Sequence, residues 1–128
     1  MEATASASAL ELYRAANDAR RAGKTSEAIR GYKDLQRRFG TSAEARASRV
    51  SLGGLLLRSG SPSDALAQFD AYLEGGGQLA AEALFGRGRA LQALGRSAEE
   101  IDNLERLVRQ YPNSAYATHA KRRLDERR

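Results

Sequence analysis

The chain has 128 residues, 41% hydrophobic and only 6% aromatic, with no Trp, no Cys and a net charge of +5. That is enough for one domain or one small array with a continuous core. The lack of cysteine excludes a disulfide framework, a thiol nucleophile and a cysteine-based zinc site, and the longest apolar run, Leu52–Leu57, is far too short to span a bilayer.

Residues 1–8, rich in Ala, Ser and Thr, read as a flexible linker or tail. They lack the basic start and apolar stretch of a signal peptide, and the chain reads as a piece of a larger protein. A first helix is expected over about Ala7–Ala22, with Leu12, Ala15, Ala16 and Ala19 on one face. Gly23-Lys24-Thr25 breaks it, and Thr25 or Ser26 is positioned to cap a second helix over Glu27–Phe39. Thr41-Ser42-Ala43-Glu44 reads as a capping box that opens a third helix ending at Arg58. Ser59-Gly60-Ser61-Pro62 ends that helix and starts a fourth, with Ser61 as cap and Pro62 in the first turn. Gly75-Gly76-Gly77 is the stretch of greatest expected flexibility. A fifth helix is expected over Leu79–Leu94, and Ser97 with Glu100 reads as a capping box for a sixth, to about Gln110. Tyr111-Pro112-Asn113-Ser114 leads into a seventh, to about Glu126.

The internal glycines Gly23, Gly60 and Gly95 lie 37 and 35 residues apart. A period in that range marks a helix–turn–helix solenoid. The repeats fall at residues 9–42, 43–77 and 78–113, followed by a capping helix at 114–127. That last helix repeats the start of the second unit at an offset of 72, but Asp125 stands where Gly53 stood, so it reads as a solvent-facing end.

The aligned columns resemble the tetratricopeptide repeat (TPR) over nearly all of residues 9–128. A large–small pair recurs as Ala15-Ala16, Leu52-Gly53 and Arg87-Gly88. Alanine follows in the second helices (Ala28, Ala65), then a bulky residue (Tyr32, Phe69, Leu104) and a further large one (Leu35, Tyr72, Leu107). Unit three departs from the pattern at Arg87 and Glu100. The resemblance implies an all-α, right-handed superhelical solenoid of three helix-turn-helix repeats plus a C-terminal capping helix, seven helices in all. The Tyr111-Pro112-Asn113-Ser114-Ala115-Tyr116-Ala117 joint is similar to bacterial envelope TPR proteins of the Tol–Pal accessory and outer-membrane assembly lipoprotein type. It implies a periplasmic or envelope setting, with the cytoplasm as the alternative.

In such arrays the first helix of each unit lines the concave face. Carried over by column, the expected partner groove comprises Tyr13, Asn17, Arg20 and Arg21 from unit one, and Val50, Leu57 and Arg58 from unit two. Phe85, Arg89 and Gln92 follow from unit three, and His119 and Arg122 from the last helix. Leu10, Gly54 and Glu82 fall on the same face. An apolar strip of Tyr13, Val50, Leu57 and Phe85 rimmed by arginines suits a peptide or protein segment. The chaperone-tail clamp of some family members is not implied, because its columns hold Tyr13, Asn17, Ser51, Glu82 and Gly86, of which only the Asn fits.

No enzyme is expected. Gly86-Arg87-Gly88 lacks a phosphate loop's third glycine and preceding strand, and His119 has no second His or Cys for a metal. No cofactor is implied. The charge is patterned, net +4 over 1–51, −3 over 52–86 and +4 over 87–128. Binding of nucleic acid by those basic ends is a minor alternative, since most of these arginines have acids three or four residues away. Self-association is a third reading, with a monomer or weak homo-oligomer expected. Arginine in preference to lysine, with abundant Ala and Gly, points to a GC-rich bacterial genome.

Overall fold

The computed structural model describes residues 2–127, with side chains from Ala9 onward. Among these residues it contains seven α-helices and no strand: α1 (Glu2–Arg21), α2 (Thr25–Arg38), α3 (Ala43–Arg58), α4 (Pro62–Gly75), α5 (Ala80–Ala93), α6 (Ser97–Gln110) and α7 (Ala115–Arg127). The first helix therefore starts ahead of the expected Ala7, within the stretch read as a linker. Met1 lies outside the described residues.

The periodic glycines are chain reversals of one kind. Gly23, Gly60 and Gly95 have φ of 77°, 83° and 70°, a region that disfavours any residue with a Cβ. The N–H after each glycine reaches back five residues: Lys24 to Ala19, Ser61 to Leu56 and Arg96 to Leu91, at 2.9, 2.9 and 3.0 Å. Each glycine N–H bonds the carbonyl three residues back, completing a Schellman motif. The chain then re-enters a helix almost at once, and this displaces several expected caps. Lys24 and Arg96 occupy the N-cap positions of α2 and α6, without a side-chain cap bond. Thr25 and Ser97 thus fall inside the helices, so the Ser97–Glu100 capping box does not form. Ser61 is the N-cap of α4 with Pro62 in the first turn, again without a side-chain bond. At α3 the cap is Ser42, one residue later than a box starting at Thr41, and its Oγ accepts from Ala45 N at 3.0 Å.

The triple glycine is tied at two points. Arg46 donates to the Gly76 carbonyl at 2.7 Å, and the Leu79 N–H donates to the Tyr72 hydroxyl at 2.9 Å.

Each helix packs on its chain neighbours. The odd helices also pack in series, α1 on α3, α3 on α5 and α5 on α7, whereas among the described residues the even helices meet only through side chains, as where Gln36 of α2 donates to Gln68 of α4 at 3.1 Å. The odd helices therefore form the crowded inner layer and α2, α4 and α6 the outer one. Small residues set the approach within units. A Cβ on Gly31 would lie 3.0 Å from Ala16 Cβ, one on Gly53 2.7 Å from the Phe69 ring, and one on Gly88 3.0 Å from Asn103. A Cβ on Gly86 would also overlap Phe69, so this ring is wedged between α3 and α5 and joins units two and three. The main core runs from Ala16 through Tyr32, Leu52 and Phe69 to Ala83. A second cluster (Leu84, Leu104, Leu107, Ala120, Leu124) seats α7.

Candidate functional site

The inner layer divides the expected groove residues into two groups. In unit one they serve the fold. Tyr32 is fully buried, and burial of a phenol requires partners for its hydroxyl. The hydroxyl donates to Asn17 Oδ1 at 2.5 Å and accepts from Arg20 Nε at 3.0 Å, so these two side chains hold α2 against α1. Tyr13 is half-buried against the core, and exposed Arg21 pairs with Asp18 at 3.2 Å. Val50, expected in the apolar strip, is 6% exposed and belongs to the core. It packs below the surface.

The second group gathers over α3, α5 and α7. Leu57, Arg89, Gln92 and Ala93 line a cleft of about 350 Å³. Phe85, Gly88, Arg89, Gln92, Glu100, Leu104, His119 and Arg123 line another of about 180 Å³. Arg89 and Gln92 wall both, so the two clefts adjoin. The Phe85 ring lies 5.1 Å from Tyr116 and 5.7 Å from His119, centroid to centroid, which ties α5 to α7. Arg58 and Arg122 are exposed on α3 and α7 but line neither cleft. Five of the twelve expected residues (Leu57, Phe85, Arg89, Gln92 and His119) are therefore brought together.

The floor is ionic, which sequence reasoning missed. Glu100 is 2% exposed on α6, where the repeat pattern has alanine. Its Oε2 accepts from Arg123 Nε at 2.8 Å, and Arg127 Nε stands 3.7 Å from its Oε1, both arginines reaching in from α7. The bond to Glu100 holds the Arg123 guanidinium above its ordinary pKa. Arg87, the other departure in unit three, bonds Asp70 of α4 at 2.6 Å and Asn103 of α6 at 3.0 Å. Asn103 donates in turn to the Leu84 carbonyl at 2.8 Å. The two departures are thus polar replacements for apolar contacts, each answered by a partner. The available signal was their co-occurrence with Arg123 and Arg127, spaced four apart on one helix face.

A larger cleft of about 470 Å³ opens beside α1 and α2, lined among others by Leu12, Ala15, Ala19, Ala22 and Gly31. Ala15 and Ala19 correspond at the 37-residue offset to Leu52 and Leu56, both buried in the core. Among the described residues, no three His, Cys, Asp or Glu come together as metal ligands, and no helix is long and apolar enough to cross a membrane.

Helix pairs stacked on a repeating glycine turn, with an inner and an outer layer, define an all-α helical-repeat solenoid. The family model for the tetratricopeptide repeat matches residues 13–78 and 51–115. The chain belongs to that family, whose members are generally protein-interaction scaffolds. A search of the curated proteins finds no match to the chain.

Proposed function

We propose that the protein is a non-catalytic interaction module that holds a protein or peptide segment across α3, α5 and α7. The observation that carries this is the pair of adjoining clefts that share Arg89 and Gln92 as walls, with apolar contact at Leu57 on one side and Phe85 on the other. A segment laid there buries apolar side chains at either end while polar groups fix its register. The envelope joint at Tyr111–Ala117 supports a place in a larger bacterial envelope or regulatory protein.

The test is site-specific photo-crosslinking in the source cells. A benzophenone side chain at Gln92, exposed in the groove, is expected to trap a partner. The same group at Lys33, exposed on α2 of the outer layer, is expected to trap none. Adducts at Lys33 alone would contradict the assignment.

A further inference from the structure

We infer that the segment held in this groove is acidic, with a carboxylate flanked by apolar side chains and seated on Arg89. The inference rests on the groove reading above and goes beyond it by naming the partner's chemistry.

The fold supplies acids to arginines of α5 and α7 that neighbour Arg89. Arg87 has Asp70 at 2.6 Å, and Arg123 has Glu100 at 2.8 Å. Arg89 makes no ion pair or hydrogen bond among the described residues, although it is the side chain that walls both clefts. The one carboxylate that lines either cleft is Glu100, and both its oxygens face arginines of α7. The nearest acid before Arg89 on α5 is Glu82, seven residues back and about two turns away. The groove therefore presents an unanswered guanidinium between two apolar ends, with the Gln92 amide one turn on and His119 opposite. Arg58 and Arg122, exposed on the flanking helices, make no ion pair among the described residues and add positive potential.

A guanidinium fork matches a carboxylate with two parallel bonds, which neither a neutral amide nor a cation reproduces. The half-open cleft beside Phe85, about 180 Å³, is the size of a side chain, and the neighbouring cleft of about 350 Å³ at Leu57 extends the surface along which a segment can lie. A free inorganic anion would leave Leu57 and Phe85 without contact, so the occupant is a protein segment.

The experiment begins by panning a random dodecapeptide display library on the immobilised protein. Enrichment is expected of Asp or Glu within two positions of Leu, Ile, Phe or Met. An enriched peptide, synthesised, is then titrated calorimetrically against the wild type and against Arg89→Gln, Arg89→Lys, Gln92→Trp and Arg30→Gln. Helicity of each variant is checked by circular dichroism. Arg89→Gln should weaken binding about tenfold, Arg89→Lys less, and Arg30→Gln, the same charge change on the outer face, hardly at all. The peptide with its acid amidated should bind about tenfold more weakly and be indifferent to Arg89→Gln. Neutral or basic peptides that depend on Gln92 but not Arg89 would overturn the carboxylate while leaving the groove intact. Equal loss with Arg89→Gln and Arg30→Gln would reduce acid preference to net charge and overturn it also. Peptides indifferent to Gln92→Trp, or no enrichment at all, would overturn both.

Discussion

Tyr116 sits at the seam between α5 and α7, its ring against Phe85 at 5.1 Å. Burial is the main reason its phenol is held above the usual tyrosine range, and the negative charge of Glu82 adds to it. A phenol whose folded pKa is raised keeps its proton longer in the folded chain than in the unfolded one. Its contribution to stability is full below the unfolded value of about 10 and is lost as pH rises through the folded value. Subtracting the 295 nm alkaline titration of Tyr116→Phe from that of the wild type isolates this group. The difference curve is expected to have its midpoint above the ordinary tyrosine value, and a midpoint at or below it contradicts the packed seam.

The element that depends most on a single polar group is α7. Among the described residues, Ala117, Ala120 and Leu124 are its only fully buried side chains. The Glu100 contacts to Arg123 and Arg127 supply what that small apolar face lacks. Glu100→Gln keeps the shape and removes the charge, which at a charge-assisted bond costs about 2 kcal/mol. Because repeat arrays couple chiefly to nearest neighbours, the loss is expected to be local. Hydrogen exchange should quicken across α7 while α1 to α4 keep their protection, and uniform protection would show that the ion pairs do not hold the helix.

At this scale the sequence was informative where one residue type carries a backbone requirement. Gly23, Gly60 and Gly95 announce the turns because only glycine takes their positive φ cheaply, and the small residues at 16, 53 and 88 announce close helix pairs. Requirements met across the fold were hidden. Asn17 and Arg20 look like groove residues until the buried Tyr32 hydroxyl claims them. Val50 and Phe85 share a column, yet valine ends within the core while the longer phenylalanine ring reaches α7. Ser97 and Glu100 have the spacing of a capping box, but the Schellman turn makes Arg96 the N-cap and leaves Glu100 to α7.

As a whole, the described helices carry unlike surfaces at the start and the finish of the stack. The first end is an alanine-lined cleft beside α1 and α2, and the last is edged by Glu105, Arg109, Lys121 and Asp125. Between them the inner layer changes character: its first unit is occupied with internal bonds, and its surface from Leu57 to His119 carries the proposed groove. The most direct test is amide chemical-shift mapping of the 15N-labelled protein with a peptide selected from the library. The account predicts the largest shifts at Leu57, Arg58, Phe85 to Gln92 and His119, with α2 and the outer surfaces of α4 and α6 unchanged. Largest shifts on the outer layer, or in the cleft beside α1, would contradict it.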